Sequence, residues 1–589
     1  MTHNTMFILK LLLAPLAVLH ADNQLAPIAT ETVIERKIPL AHRYLLWPVK
    51  TGKKDGPTQR VTVAVDGKLI HAFSIELSTE PEWFAHTDMS AWQGKEAVIR
   101  VDGKWPANSA PAADSPVLDL VRNSDQIWGE ENLYREKLRP QIHFSSRRGW
   151  LNDPNGLCFY NGEYHLFYQH NPYGWGHGNM HWGHAVSKDL VHWKELPIAL
   201  YPDLSSDEHR MMFSGSAAVD WKNTSGLGSG GKPPLILLYT GHGKRVTQDL
   251  AWSLDGRNFE KFEGNPVVDQ MHQGNRDPKV FWHAGAGHWV MVLYAGMPTT
   301  EKSDLPPGEA WKKHRHTVQI LSSPDLRTWK LESVVEGGIG EDKYLHECPD
   351  LVRLPLDGNP EKTKWVLFGA NGEYAIGEFD GRRFAPEVER LPGPRGKGWS
   401  YYAGQTFSDV PDGRVILTAW GPAPSPAMPF NQLMTLPCEL TLRSTPEGAR
   451  LARTPVKELE SLRDGPNQAN ALDSFRSELI ELQAEFQSGD AEIAEFNLRG
   501  AKIIYDARKH ELVVNDHHVP APLVDGKMRL IAFVDRTILE VFASDGLTYV
   551  PMPFIPKLED QSVSVNVRGG RAKLTSLQVY KLKSIWKNK

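Results

Sequence analysis

A short pattern recurs four times through the middle of the chain and constrains its fold more than any other feature. Ser187-Lys188-Asp189-Leu190-Val191-His192-Trp193 returns as Ser253-Leu254-Asp255-Gly256-Arg257-Asn258-Phe259 and as Ser323-Pro324-Asp325-Leu326-Arg327-Thr328-Trp329. A weaker copy is Phe379-Asp380-Gly381-Arg382-Arg383-Phe384. Each copy reads as a strand end, a tight turn opened by Asp, and an aromatic that begins the returning strand; Asp suits that place because its carboxylate bonds the backbone two residues on. The turn aspartates lie 66, 70 and 55 residues apart, a period that holds about four strands. Repeated four-stranded units point to a β-propeller, whereas tandem sandwiches would share the strand count without requiring the repeat. Residues 138–455 accommodate about five such units.

The flanks carry strand patterning without the repeat. In 22–132, Arg60 to Val65 runs through an Asp66-Gly67 turn into Leu69 to Leu77, a hairpin signature, and Ala97 to Gly103 adds another alternating run. In 464–589 the alternating runs are Ala491–Leu498, Lys502–Tyr505, Met528–Val534, Thr537–Phe542 and Ser562–Val567. The expected class is all-β: a five-bladed β-propeller (138–455) followed by a C-terminal β-sandwich (464–589), with a small all-β accessory domain (22–132) at the N-terminus. Phe7 to Leu19 is an apolar run of 13 residues broken only by Lys10 and Pro15, too short to span a bilayer and followed by a small-residue cleavage point, so 1–21 reads as a signal peptide of a secreted or periplasmic protein.

Charge and cysteine content exclude several functions. Lys+Arg 66 against Asp+Glu 71, spread without a basic block, gives no footprint for nucleic acid. Cys158, Cys348 and Cys438 are too few and too scattered for a disulfide framework or a thiolate metal site. His177, His181 and His184 are close in sequence, but strand alternation sends His184 to the opposite face. No metal or other cofactor is expected, nor a membrane span, and the chain should be a monomer or weak oligomer.

The repeat also says which residues reach the axis. Twenty-two residues beyond a turn aspartate the chain should have entered the innermost strand of the next unit, and that step leads to Asp277 from Asp255 and to Glu347 from Asp325. The same step gives Met211, just ahead of Phe213-Ser214-Gly215-Ser216, and Tyr402. The first unit opens with Trp150-Leu151-Asn152-Asp153-Pro154-Asn155-Gly156, whose acid is Asp153. Taken singly, Asp153-Pro154 is turn chemistry and Arg276-Asp277 a surface ion pair; the shared offset is what singles them out. Three carboxylates converging amid tryptophan suit glycoside cleavage, where one acid protonates the leaving oxygen and another carboxylate attacks the anomeric carbon or activates water. Crowding like charges raises one pKa, so one acid stays protonated beside an ionised neighbour.

The segments Trp150 to Gly156, Phe213 to Ser216, Arg276-Asp277-Pro278 and Glu347-Cys348-Pro349-Asp350-Leu351 together resemble the signature motifs of glycoside hydrolase family 32, over about three quarters of the chain. The resemblance implies a retaining enzyme acting on β-fructofuranosides in fructans such as levan or inulin, or in sucrose, with exo attack as the expectation. By that match Asp153 is the nucleophile, Glu347 the acid/base, and Asp277 with Arg276 holds fructose hydroxyls. Trp150, Asn152, Gln169, Phe213, Ser214 and Trp420 fall on positions around the terminal fructose. His177 stands where the family usually has Trp, leaving Trp175 or Trp182 to supply that wall. A fructosyltransferase or an endo-acting levanase would share the three acids; a non-catalytic carbohydrate-binding propeller would bind without turnover.

Overall fold

The computed structural model describes residues 33–50, 58–102, 116–204, 209–272, 274–299, 312–487, 493–568 and 573–586. Residues 1–21, read as a signal, lie outside them. The described chain is built of strands and short 3-10 turns, and no helix among the described residues is long and apolar enough to cross a membrane.

Between Gly149 and Pro455 the chain lays down five successive antiparallel meanders of four strands. Their first strands are Gly149–Tyr160, His209–Val219, Arg276–His283, Asp350–Leu356 and Tyr402–Thr406. The repeat occupies the third turn of each of the first four meanders. There Oδ1 of Asp189, Asp255, Asp325 and Asp380 accepts the backbone N–H groups two and three residues on, at 2.7–3.1 Å. The residue after each Asp takes a positive φ, at Leu190 (65°), Gly256 (67°), Leu326 (65°) and Gly381 (96°). Glycine accepts that conformation freely; the two leucines are held there by full burial.

The first strands lie side by side and bond across sheets. Val280 N donates to Ser216 Oγ at 2.9 Å and Lys279 Nζ to the Thr406 carbonyl at 2.6 Å. Thr406 N donates to Asp350 Oδ2 at 2.8 Å, and Gln405 Nε2 to the Gly215 carbonyl at 3.1 Å. The beginning of this region is tied to its end: Leu157 N reaches Gln405 Oε1 at 3.2 Å, Cys158 bridges Ser408, and Phe430–Asn431 adds a parallel strand to Gly149-Trp150. The fourth and fifth meanders are not separate sheets; the parallel pair Leu356↔Leu442 joins them into one of nine strands. Asp357 fixes that seam by donating its N–H to the Leu442 carbonyl and accepting the Ser444 N–H, both at 2.8 Å.

Residues 34–124 form a four-stranded and a three-stranded sheet around their own core of Trp47, Val61, Val63, Phe73 and Ile99. The Asp66-Gly67 hairpin turn is present, with φ of 52° and 74°. From Ile480 two five-stranded sheets face each other across a core that includes Leu482, Phe486, Phe496, Ile503 and Val541, each such side chain contributing roughly 1.5–3 kcal/mol by leaving water. Where this region meets the meanders, His143 is fully buried between Asp535 (Nδ1 to Oδ2, 2.8 Å) and Glu540 (Nε2 to Oε1, 3.2 Å).

Candidate active site

The ladder breaks where the acids sit. Register shifts fall between Leu151 and Pro154, Phe213 and Gly215, Arg276 and Lys279, and Tyr402 and Gln405. Four of the five first strands therefore bulge at the same end, and in the remaining one pairing begins only at Asp350, beyond Glu347. A bulge frees a residue from the ladder and re-aims its side chain; here the freed residues include Asn152, Asp153, Ser214 and Asp277. Prolines 154, 278 and 349 follow the three acids closely and cannot donate a ladder bond. Asp277 (φ 64°), Glu347 (55°) and Cys348 (42°) are in the left-handed region, a backbone cost typical of functional sites.

These bulges bring the three acids to one place. Cys348 Sγ lies 3.6 Å from Asp153 Oδ2 and 3.6 Å from Asp277 Oδ2, and Cys348 N donates to Asp277 Oδ2 at 3.0 Å. Asp153 accepts from Asn152 Nδ2 (3.0 Å) through Oδ1 and from Ser214 Oγ (2.7 Å) through Oδ2. Glu347 Oε1 accepts from Arg276 Nε (3.2 Å) and Nη2 (2.5 Å), while Oε2 accepts from the Tyr402 hydroxyl. Nδ1 of His346 is 3.0 Å from that hydroxyl and 3.2 Å from Glu347 Oε2. The Arg276 guanidinium also rests 4.6 Å from the Tyr294 ring centroid.

The acids titrate differently for identifiable reasons. Burial raises Asp277 to about 7 against the pull of Arg276, with Glu347 and Asp153 adding like-charge repulsion. Burial also raises Asp153, opposed by the Ser214 hydrogen bond and assisted by Glu347. Burial opposes ionisation of Glu347 as well, but Arg276, His346 and Tyr402 outweigh it and hold the carboxyl down at about 2. The raised acid of the trio is thus foremost Asp277, and Glu347 is a carboxylate in this geometry.

The other sequence-derived residues line the same end. Trp150 Nε1 donates to Asn152 Oδ1 at 2.9 Å, and its ring meets Trp420 edge-on at 5.7 Å. Phe213 stacks on His242 at 4.2 Å and meets His177 edge-on at 5.8 Å. Gln169 is buried beneath, donating to the Met212 carbonyl at 2.9 Å. Trp182 is wholly buried with Nε1 on the Phe213 carbonyl, and Trp175 is anchored on the Met428 and Phe430 carbonyls at 3.0 Å. His184 stacks on Phe167 away from the site, whereas His181 packs against Tyr173 and Tyr201.

Four participants carried no sequence argument: Cys348 as the bridge between carboxylates, His346, the Tyr402 hydroxyl, and Trp399. Trp399 is 68% exposed and stacks on Tyr402 at 5.1 Å. The twenty-two-residue step reached Tyr402 without assigning it a partner.

A strand-built chain with three acids gathered at one end of its adjoining first strands is a glycoside hydrolase by its family: it belongs to the glycosyl hydrolases family 32, whose N-terminal domain description matches residues 143–455 and whose C-terminal description matches 449–581. Among curated relatives, a levanase of Bacillus subtilis (strain 168) is 37% identical over 519 residues, 78% of this chain and 72% of that one. An extracellular exo-inulinase of Aspergillus awamori is 30% identical over 535 residues, 77% of this chain and 96% of that one. The crystal structure of exo-inulinase from Aspergillus awamori superposes with a TM-score of 0.66 at 28% identity, covering 77% of this chain and all of the other. A family 32 structure from Bifidobacterium adolescentis, 23% identical with a TM-score of 0.65, shares the fold over 94% of this chain and 100% of that one.

Proposed function

We propose that this chain hydrolyses β-fructofuranosidic bonds, releasing fructose from the end of levan or inulin and from sucrose, with retention of configuration. The observation that carries the reading is the convergence of Asp153, Asp277 and Glu347, with Cys348 touching two of them and Arg276 contacting the third. Asp153 attacks the anomeric carbon while Glu347 protonates the departing oxygen; Glu347, now a carboxylate, then takes a proton from the water that cleaves the fructosyl-enzyme. Asn152 and Ser214 hold Asp153 in line, and Asp277 binds fructose hydroxyls. Trp150, Phe213, Trp420 and Gln169 shape the terminal fructose pocket, with Gln169 acting from beneath.

Glu347 must gain a proton to act as acid, and Arg276 opposes this. A fructose hydroxyl accepting from Arg276 draws the guanidinium off Oε1 and lets burial return the carboxyl toward its neutral form. Substrate binding thereby arms the acid.

The five meanders are read as the blades of one closed propeller over 138–455, supported by the bonds from the first strand region to the fifth. The facing sheets of 464–589 are read as a β-sandwich, 22–132 as an accessory domain, and 1–21 as an export signal for a secreted or periplasmic protein, a monomer or weak oligomer. The test is to digest levan, inulin and sucrose separately and size the products, beside Asp153→Asn and Glu347→Gln. Each substitution should lower kcat by at least about 10³-fold, or ~4 kcal/mol, with the thermal midpoint unchanged. Near-normal turnover in either variant overturns the assignment, and oligofructan products in place of fructose overturn the exo mode.

A further inference from the structure

The first strands have a second end, and it is also furnished. Asp277 lies near the start of its strand and Ser214 midway along its own, and Phe281 and Val219 lie four and five residues further on, respectively. At about 3.3 Å per residue that is a displacement of roughly 15 Å along the strands. There the strand ends surround a cavity of about 390 Å³, within the range of small-molecule sites, about 300–1,000 Å³. Its lining is unusually aromatic, including Trp221, Trp282, Trp289 and Trp365.

Two features separate this cavity from a packing defect. Trp221 is 64% exposed, yet its indole is fixed, because Nε1 donates at 2.8 Å to Oδ1 of Asp409, whose other oxygen accepts the Val219 N–H at 3.1 Å. A large apolar ring is thus held rigid in water. The floor, in contrast, is polar: Lys279, 4% exposed, donates to the Thr406 carbonyl (2.6 Å) and hydroxyl (3.1 Å) and pairs with Asp350 at 3.4 Å. Oδ1 of that buried Asp350 has no hydrogen-bond partner.

We propose that this cavity is a second carbohydrate-binding site, which holds a stretch of fructan chain at the end of the strands opposite the point of cleavage. Flat indole faces suit the C–H faces of a sugar, and the polar floor and Asp409 suit its hydroxyls. The charges also select a neutral ligand. Lys279 is paired with Asp350, which itself lies outside the lining; the remaining lining charges, Lys222 and Arg353 against Asp220 and Asp409, are equal in number, and Lys222 Nζ lies over the Trp282 ring at 4.4 Å, so little net charge remains to attract an ion. That the sugar is a fructan rests on the activity proposed above.

Affinity electrophoresis through gels containing levan or inulin tests the site in the Asp153→Asn background, where no hydrolysis intervenes. The Asp153→Asn protein should be retarded, and adding Trp221→Ala, or Trp221→Ala with Trp365→Ala, should weaken its apparent affinity about 3- to 10-fold. In the otherwise wild-type chain, Trp221→Ala should leave sucrose hydrolysis and the thermal midpoint unchanged, since the side chain is exposed and remote from the acids. Unaltered retardation in both variants overturns the site; equal retardation by a soluble glucan overturns the fructan assignment. Failure of the wild-type chain to cleave sucrose or fructan overturns the activity alone, because retardation reads binding without turnover.

Discussion

Two nitrogens of Arg276, Nε and Nη2, converge on a single oxygen of Glu347, Oε1. The other oxygen faces Tyr402 and His346, so the carboxylate is gripped from both sides in the form that cannot donate a proton. Arg276→Gln removes the dominant stabilisation of that form. The alkaline limb of kcat/KM should then move to higher pH, because Glu347 stays protonated longer, while kcat/KM falls about 10²- to 10³-fold from loss of a cation at the reacting centre. An unmoved limb would show that Arg276 does not set this titration.

The segment carrying His177 is braced from the N-terminal sheets. Asn179 Oδ1 accepts the Ser74 N–H at 2.8 Å, Asn179 Nδ2 donates to the Ser74 carbonyl at 2.7 Å, and Phe73 stacks on Tyr173 at 3.7 Å. Asn179→Ala leaves both Ser74 backbone groups unpaired, at a cost of about 1–3 kcal/mol. Expected is a rise of several-fold in KM with kcat less affected, from loosening of the His177 wall; steady-state kinetics on sucrose reads the split.

The turn aspartates make the chain acid-sensitive. At Asp189, Asp255 and Asp325 burial favours the neutral form, but backbone hydrogen bonds outweigh it and depress the pKa; at Asp380 the Arg383 N–H is the leading cause of the same depression. A depressed carboxyl contributes stability that is present above about pH 3.8 and lost as pH falls through the folded-state value. Asp325→Ala should cost about 0.5–2 kcal/mol at pH 6, as loss of a helix cap does, and that difference should shrink by pH 2. Thermal unfolding of both proteins at the two pH values checks it.

An opposite dependence is built around His143. Burial disfavours its charge, but hydrogen bonds to Asp535 and Glu540 outweigh burial and raise its pKa to about 9. Its contribution is therefore complete below about pH 6.5 and is lost as pH rises through 9. His143→Gln leaves two buried carboxylates without their cation, at a cost of about 3–5 kcal/mol. The gap in thermal midpoint between this variant and wild type should be wide at pH 6 and narrow at pH 10; a constant gap would place His143 in its neutral form throughout.

The turn aspartates, and the twenty-two residues that carry the chain from each into the next first strand or, at Glu347, to three residues short of it, were legible because both are local. A carboxylate bonding the amides two and three residues on needs nothing beyond its own turn, and each step spans only the stretch between the last turn of one meander and the start of the next. What surrounds the acids was less legible. Bulges at Asp153, Ser214 and Asp277 are defined by the partner strand, although the prolines after the acids hint at them. The Cys348 bridge depends on a left-handed backbone at Glu347-Cys348 that neither residue favours alone. The junction of the fourth and fifth meanders rests on one pair, Leu356 and Leu442, 86 positions apart, and no periodicity announces it.

The tie between Leu157 and Gln405 gives synthesis an order. All three acids are in the chain once residue 347 has been joined, but the strand that supplies Gln405 and Tyr402 is not yet made. Non-local pairing of this kind is late and slow, and domains complete only when their last strand emerges. A nascent chain therefore carries the full set of acids without a framework to hold them together, and its chemistry switches on only when the final meander reaches back to the first.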